Sequence, residues 1–462
     1  MSDYKFNLTP VEVSKVSTKY RTIDTLLPVP GSLEILKVIH QYESVSMHGQ
    51  LPVVWDRAEG FQVHDAWGNQ WLDFTSTIFV ANAGHGNPQI VQAIQKILTK
   101  PLLHTYTYAT HERADYLKYL IENTPKQFEK AFLLSAGTEA TECAFKLMRM
   151  HGQKHNKKRL GIITFEGNWH GRTMGAQMMS YNPQQKEWIG YLDPNIYHLP
   201  FPYPWREEAM KDPKGYLLRN METLLKGNDL TLETDFCGVM LESYQGWGAI
   251  FYPPAFVQEV VALAQKYGML VAFDEMQSGF GRTGKLFCYM HYEVEPDLLC
   301  CGKGASSSLP LSIVLGSKEV MDLPEVGSMS STHSANPAVC VAGKANLEVL
   351  LEEGLIENSR ILGELFHSRL REIKKCFSQY ISHVTGKGLL AALHFNTPDA
   401  HPLTELCDRI CEMAMQRGLL VVHTGRESIK LAPPLVITEE ALLEGVSVLE
   451  ETIKDCVAKE KK

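Results

Sequence analysis

The sequence predicts an α/β protein in which a large domain, built on a mostly parallel sheet, is joined to a smaller α+β domain. In the middle of the chain, short apolar runs alternate with helical patterns, and each run is apolar on both faces. Parallel strands covered by helices have this pattern. Beyond residue 340, long helical patterns and a few strands follow. A chain of 462 residues is also too long for one simple core.

Each apolar run is bounded by glycine or by polar clusters, as buried strands are. The runs are AFLLSAG from 131, RLGIITFEG from 159, CGVMLES from 237, MLVAFDE from 269, LLCCGKG from 298 and LSIVLGS from 311. We place the domain boundaries at 1–72 for an N-terminal arm and small sheet that packs with the small domain, at 73–327 for the large domain, and at 328–462 for the C-terminal small domain.

Two segments before the large domain's first strand have clear local patterns. VVWDRAEGFQVHDAWGNQWLDF alternates and breaks at Gly60 and at Gly68-Asn69, which predicts a small antiparallel sheet. From Pro88, PQIVQAIQKILTK has helical spacing. The first forty residues show no strong periodicity and are expected to form an arm.

Composition and charge exclude several classes of protein. Hydrophobic residues at 44% and charged residues at 21% are typical of a soluble globular chain. The net charge of -8 argues against nucleic-acid binding, and there is no apolar stretch long enough for a membrane. The opening MSDYKFNLTP has no signal-peptide core, so we expect a cytoplasmic protein. The ten cysteines lack CxxC pairs, and Cys407 and Cys411 are better explained by packing than by a metal, so no metal is expected.

Polar residues follow the predicted strands at their carboxyl ends, where sheets of this kind bind ligands. Ser135, Gly137 and Thr138 lie where a strand gives way to a helix, and a glycine turn there can hold phosphate, although an ordinary helix cap has the same pattern. Asp274 closes a buried strand and needs a cationic partner, which can be a protonated heterocycle, an arginine or a helix cap.

Two further strand ends carry a lysine and an aromatic residue. Lys303 follows a fully apolar strand between two glycines, and enclosure would lower its pKa and make the amine nucleophilic. Trp169 and His170 follow the strand near residue 162, and the indole can either lie flat on a planar ligand or fill the core. Together these ends supply the contacts that pyridoxal phosphate needs.

Two other strings in the sequence resemble nucleotide-binding motifs but lack the required context. Gly279 to Gly284 reads GFGRTG, yet it follows the polar DEMQS and no clear helix opens after it. Lys303 is not a P-loop lysine, because position 297 is Asp and the next residue is Gly304.

The ordered motifs of the chain resemble the class III, ω-amino acid type, pyridoxal-phosphate aminotransferases of fold type I. The resemblance runs from about residue 50 to the C-terminus. It rests on VHDAWGNQWLDF, NAGHGNP, SAGTEATE, WHGRT, ESYQGWG, DEMQSGFGRTG, the Lys303 segment, STHSANP and KLAPPLVIT.

The resemblance implies a role for each matching residue. Gly137 and Thr138 would hold the phosphate, Trp169 would stack on the ring, Asp274 would bind the ring nitrogen and Lys303 would form the Schiff base. Gln277 would lie at the phenolic oxygen, Glu242 would support this network, and Thr332 would reach the phosphate of the neighbouring subunit. Ser135 and His170 complete the expected cofactor-binding set. A homodimer with its site at the subunit interface follows from the role of Thr332.

The implied reaction is ping-pong transamination between an amine or ω-amino acid donor and a 2-oxo acid acceptor. An amine donor would displace Lys303, whose freed amine would then move the proton as general base and acid. Asp274 would keep the ring nitrogen protonated. Decarboxylation, racemisation, aminomutase chemistry and phospho-elimination use the same scaffold and rank second. A nicotinamide-dependent dehydrogenase ranks third, and a non-catalytic binding protein last.

Two positions depart from the family together. Many members have glutamate where this chain has Trp247, and arginine where it has Lys430. In those members the arginine takes the carboxylate of 2-oxoglutarate or glutamate, and the glutamate masks it. Lysine lacks the planar fork of arginine. We therefore expect a more apolar substrate pocket, with weakened or differently arranged handling of 2-oxoglutarate, lined by Phe79, Trp247 and Lys430. Trp247 can also be read as a core residue.

Overall fold

The computed structural model describes residues 6–460 of the chain. Within them, the chain forms two compact units. The first unit comprises 6–87, 247–249 and 355–460, and the second comprises 88–246 and 250–354. The domain boundaries at residues 72 and 327 remain predictions.

A seven-stranded sheet forms the centre of the second unit. Its strands lie in the spatial order Lys130–Leu134, Ser312–Gly316, Leu298–Cys301, Leu270–Glu275, Phe236–Glu242, Gly161–Phe165 and Ile196–Leu199. Ser312–Gly316 runs antiparallel to both of its neighbours, and the other pairs are parallel. Six of these strands are those predicted from the apolar runs, which confirms the mostly parallel α/β fold.

Helices cover this sheet and connect its strands. The longest of the second unit is Gly137–Lys154, whose buried face includes Ala144 and Leu147. The helices of this unit are Pro88–Leu98, His111–Glu122, Gly137–Lys154, Met174–Met179, Glu207–Lys211, Pro213–Asn228, Leu232–Asp235, Pro254–Lys266, Lys318–Met321 and Pro337–Glu352. Every residue of the strands Phe236–Glu242, Leu270–Glu275 and Leu298–Cys301 is buried, as expected for strands covered on both faces.

The first unit contains two sheets. One joins Val16–Ser17, Thr22–Ile23, Gln70–Asp73, Gln62–His64 and Arg57–Glu59, with Leu419–Leu420 parallel to Gln70–Asp73. The other has the order Ile381–Lys387, Leu390–Phe395, Ser428–Leu431 and Val422–His423, and is antiparallel. The helices of this unit are Leu33–Tyr42, Leu355–Cys376, Thr404–Gln416 and Glu439–Glu460.

A left-handed turn over Ser76–Phe79 is the most unusual backbone feature of the first unit. All four of its residues have positive φ angles, between 45° and 73°. Two of them, Thr77 and Ile78, are β-branched, and such residues cost on the order of 1–2 kcal/mol each in this region. The Ser76 hydroxyl donates to the Ala432 carbonyl at 2.6 Å and holds the turn.

Two of the elements that were not predicted are the strand Ile196–Leu199 and the helix Leu33–Tyr42. The strand Ile196–Leu199 is short and half-polar, so it gives no strong periodic signal. The helix Leu33–Tyr42 lies in the segment expected to be an arm and buries none of its residues. Within the described residues 6–460, no helix is long and apolar enough to span a bilayer.

Candidate active site

A cavity opens in the second unit where the parallel strands end. It is bordered by residues that follow five different segments of the sequence. Its lining residues are Gly137, Thr138, Trp169, His170, Gly171, Glu242, Tyr244, Asp274, Met276, Gln277, Ser278 and Lys303. Eight of the residues predicted from the sequence are therefore brought together here.

Lys303 follows the strand Leu298–Cys301 and begins a short 3₁₀ turn with a positive φ of 44°. The Asn346 side chain holds this turn by donating to the carbonyls of Gly304 at 2.9 Å and Ala305 at 3.0 Å. Loss of solvent around the amine lowers the pKa of Lys303, while the nearby carboxylates of Asp274 and Glu242 act in the opposite direction. A lowered pKa leaves more of the amine in its neutral, nucleophilic form.

Asp274 ends the strand Leu270–Glu275 and is only 5% exposed. Its Oδ1 accepts from the Met276 backbone N–H at 3.0 Å. Its Oδ2 lies 2.9 Å from Nδ1 of His170, a side chain with 2% exposure. Because a carboxylate only accepts, Nδ1 carries the proton of this hydrogen bond. The other ring nitrogen of His170 faces the Thr164 hydroxyl at 3.3 Å.

Glu242 links two loops that border the cavity. Its Oε2 accepts from the Trp169 backbone N–H, and its Oε1 accepts from the Gly246 N–H, both at 3.0 Å. A Cβ added to Gly246 would lie 2.9 Å from the Gln277 amide nitrogen, so Glu242 and Gln277 flank that glycine. The Trp169 indole is half-buried, and the Arg172 guanidinium lies over it, 4.8 Å from its ring centroid.

The opposite part of the cavity lies at the start of the helix Gly137–Lys154. The Glu139 carboxylate already accepts the backbone N–H groups of Ser135 at 2.8 Å and Ala136 at 2.9 Å. The Thr138 hydroxyl accepts from the Thr173 N–H at 3.2 Å. A Cβ at Gly137 would lie 2.8 Å from the Met276 sulfur, so a larger residue there would require the Met276 side chain to move.

Two predicted cofactor residues do not line the cavity. Ser135 precedes the lining residue Gly137 by two positions in the sequence, and its hydroxyl lies 3.5 Å from that of Ser334. Thr332 is exposed, and its carbonyl faces Nε2 of His104 at 2.8 Å. Thr332 was predicted to serve a neighbouring subunit, and that role stays a prediction.

The three predicted substrate residues all belong to the first unit. Lys430 is 5% exposed, and its ammonium nitrogen lies 4.4 Å from the ring centroid of Phe79. Trp247 is half-buried, and the Arg426 guanidinium lies 3.7 Å from its ring centroid. Their role toward a substrate stays a prediction.

Sequence reasoning missed four residues that line the cavity, namely Gly171, Tyr244, Met276 and Ser278. Each lies inside a motif already singled out: WHGRT for Gly171, ESYQGWG for Tyr244, and DEMQSGFGRTG for Met276 and Ser278. Their positions between predicted site residues were the signal that could have identified them.

The groups around the cavity match the functional groups of pyridoxal phosphate. An amine suits its aldehyde, a buried carboxylate suits its protonated ring nitrogen, an indole suits its flat ring, and a helix start with a hydroxyl suits its phosphate. At this helix start, Glu139 accepts the N–H groups of residues 135 and 136. Within residues 6–460, no group of three or more His, Cys, Asp or Glu side chains could hold a metal ion.

Comparisons with known proteins agree with this arrangement. A family model described as aminotransferase class-III matches residues 44–453. The chain is 31% identical to an alanine/serine racemase of Pyrococcus horikoshii, covering 97% of this chain and 96% of that protein. It is 30% identical to an ornithine aminotransferase of Schizosaccharomyces pombe, covering 94% and 96%. The crystal structure of an acetylornithine aminotransferase from Elizabethkingia anophelis superposes with a TM-score of 0.76 and 29% identity, covering 92% and 99%.

Proposed function

The chain belongs to the class III aminotransferase family, and we propose that it transfers an amino group from an amine or ω-amino acid donor to a 2-oxo acid acceptor. The reaction depends on pyridoxal phosphate and would follow a ping-pong mechanism. Its proposed catalytic residues are Lys303 and Asp274. The observation that carries this proposal is the convergence of Lys303, Asp274, Trp169 and Thr138 on one cavity. Pyridoxal phosphate is a cofactor that needs these four groups together.

The residues divide the cofactor between them. Lys303 would bind the cofactor through its amine, and Asp274 would pair with the ring nitrogen. Trp169 would stack on the ring face, and Gly137 and Thr138 would contact the phosphate. When bound, pyridoxal phosphate supplies an aldehyde that bonds amines and a ring that withdraws electrons from the amine-bearing carbon. Gln277, Glu242, His170 and Ser135 complete the proposed cofactor set, with Thr332 acting on the neighbouring subunit.

Lys303 has a second task once the donor amine has displaced it. Its Nζ would take the proton from the substrate carbon that bears the nitrogen and deliver it to the cofactor carbon bonded to the same nitrogen. Burial supports this task, because the lowered pKa of Lys303 keeps the amine free to accept a proton. Asp274 supports it from the other side by holding the proton of the ring nitrogen. His170 donates to the distal oxygen of Asp274 at 2.9 Å and fixes that carboxylate in place.

We further propose that the enzyme is a cytoplasmic homodimer. The prediction that Thr332 completes a neighbour's phosphate site supports the dimer, since Thr332 is exposed in its own chain. All ten cysteines are free thiols and nine of them are buried, which suits a reducing compartment. We propose Phe79, Trp247 and Lys430 as substrate residues.

Absorbance and chemical trapping test the proposal. The purified protein should take up pyridoxal phosphate and show a visible band, and borohydride should abolish that band while attaching the cofactor to Lys303. Lys303→Ala should lose activity by about 10²–10⁴-fold or more, because it removes both the attachment and the proton carrier. Lys226→Ala, on the exposed face of the helix Pro213–Asn228, is the matched control and should behave as wild type. A wild-type protein that stays colourless in excess cofactor would refute the proposal.

Racemisation is the second candidate, because one relative is named an alanine/serine racemase. A single turnover with one enantiomer of alanine separates the two reactions. Transamination gives pyruvate in an amount equal to the enzyme, whereas racemisation gives the opposite enantiomer and no oxo acid.

A further inference from the structure

We propose that Thr173 limits the affinity of the protein for pyridoxal phosphate, because it holds the hydroxyl proton of Thr138 away from the cofactor phosphate. The inference rests on the proposed function, in which Thr138 binds that phosphate. It assigns a positioning role to two residues outside the proposed cofactor set, Thr173 and Glu142. All three side chains belong to the second unit.

The Glu142 carboxylate lies at the start of the helix Met174–Met179. Its Oε1 accepts the backbone N–H groups of Gly175 at 2.8 Å and Ala176 at 3.1 Å. The Thr173 hydroxyl lies 2.7 Å from the same oxygen. Because two N–H groups already direct their hydrogens at this oxygen, it is an acceptor, and Thr173 is the donor of the third hydrogen bond. The only hydroxyl proton of Thr173 is therefore directed at Glu142.

The Thr138 hydroxyl is hydrogen-bonded to the same threonine. Its oxygen lies 2.6 Å from the Thr173 hydroxyl oxygen, a distance typical of a strong hydrogen bond between hydroxyls. Since Thr173 donates its proton to Glu142, Thr138 must be the donor of this second bond. The Thr138 oxygen also accepts the Thr173 backbone N–H at 3.2 Å. Thr138 thus uses its only proton inside the protein.

This use of the proton conflicts with phosphate binding. A phosphate monoester above its second pKa of about 6 carries no proton, so it can only accept hydrogen bonds. A hydroxyl has one proton, and Thr138 cannot donate it to Thr173 and to a phosphate at once. If the proton turned to the phosphate, two oxygens 2.6 Å apart would have no hydrogen between them and would repel each other. Cofactor binding must therefore break the hydrogen bond between Thr138 and Thr173.

The backbone of two helices holds this network in place. Thr138 and Glu142 are four residues apart in the helix Gly137–Lys154, so their side chains lie on one face of it. Thr173 precedes the helix Met174–Met179 and bonds to both side chains. A Cβ at Gly175 would lie 2.5 Å from Oε2 of Glu142, so the glycine leaves room for the carboxylate. Thr173 cannot turn away from Thr138 without disturbing its bond to Glu142.

A gain of affinity is the expected result of removing the Thr173 hydroxyl. Thr173→Val keeps the shape of the side chain and its backbone N–H, and Glu142 Oε1 retains two N–H donors. This variant should bind pyridoxal phosphate about threefold to tenfold more tightly than wild type, since one hydrogen bond no longer has to be broken. Thr173→Ala removes the same hydroxyl and should give the same gain. Thr173→Ser keeps the hydroxyl and should bind within about twofold of wild type.

The dissociation constants are measured by fluorescence titration of the full-length apo-protein at about pH 8, where the phosphate is doubly ionised. Pyridoxal, which has no phosphate, should bind Thr173→Val and wild type equally. In a Thr138→Val background, Thr173→Val should give no further gain, because no Thr138 proton is left to release. Thr234→Val is the matched control, since the Thr231 and Thr234 hydroxyls form a similar contact at 2.8 Å, and it should keep wild-type affinity.

Unchanged or weaker binding of pyridoxal phosphate by both Thr173→Val and Thr173→Ala would overturn the inference. An equal gain for pyridoxal would also overturn it, because the effect would then not involve the phosphate. The same holds for an equal gain in the Thr138→Val background, since Thr173 would then act without Thr138. A failure of the proposed function is seen separately, as a wild-type protein that binds no pyridoxal phosphate at all.

Discussion

Replacing Gly171 by alanine should weaken cofactor binding because it displaces the neighbouring side chain of Thr138. Gly171 has a φ of 138°, where an L side chain is strained. A Cβ at this position would clash with the Thr138 hydroxyl and would lie 2.7 Å from the Thr138 Cβ and 3.1 Å from the Ala176 Cβ. Thr138, which we propose to contact the phosphate, would therefore have to rotate or shift.

The expected magnitude has two parts. The backbone strain should lower the free energy of unfolding by about 1–3 kcal/mol. The displaced hydroxyl would lose a hydrogen bond to a charged phosphate, worth about 1.5–3 kcal/mol. Each 1.4 kcal/mol is a tenfold change in affinity, so the dissociation constant of the cofactor should rise by about tenfold to a hundredfold.

Fluorescence titration of the apo-protein with pyridoxal phosphate measures the affinity, and urea unfolding measures the stability. Thr138→Val should reproduce the affinity loss without the strain. Gly227→Ala is the control, because a Cβ there meets nothing within 4 Å, and it should retain full affinity with equal or slightly higher stability. If Gly171→Ala bound the cofactor within twofold of wild type, the inferred coupling between Gly171 and Thr138 would be wrong.

Three further predictions follow from burial and charge. Burial lowers the pKa of His394 to about 4 from 6.5, so between these pH values the unfolded chain binds more protons than the folded one. The free energy of unfolding should therefore fall by up to about 3 kcal/mol as the pH falls through that window. Urea unfolding at pH 7 and pH 4.5 measures this change, which should be smaller in His394→Gln than in wild type. Asp274→Asn should fold normally but lose about 10²–10³-fold in kcat, because an amide cannot hold the ring nitrogen in its protonated form, and a loss below fivefold would exclude Asp274 from that role. Ellman's reagent should react quickly with one thiol of the native protein, Cys376, since the other nine cysteines are buried, and Cys376→Ser should abolish this fast phase.

The strands of the central sheet could be predicted because burial on both faces leaves a continuous apolar run in the sequence. That signal fails for Ile196–Leu199, which is half-polar, and for the direction of Ser312–Gly316, which runs against its neighbours. Strand direction depends on which strands pair, and no local pattern records that choice. The helix Leu33–Tyr42 was also missed, and it buries none of its residues in this chain.

The sequence by itself pointed to the proposed chemistry of the site, because the candidate catalytic residues at strand ends are identified by their type and by the motif that surrounds them. Lys303, Asp274, Trp169 and Thr138 were found in this way, and the structure brings them to one cavity. Only the tertiary structure decided which side chains meet across long stretches of chain: His170 with Asp274, Gly171 with Thr138, and Arg426 with Trp247. Such contacts depend on how distant segments pack, and residues this far apart in the sequence leave no spacing that a linear pattern could reveal.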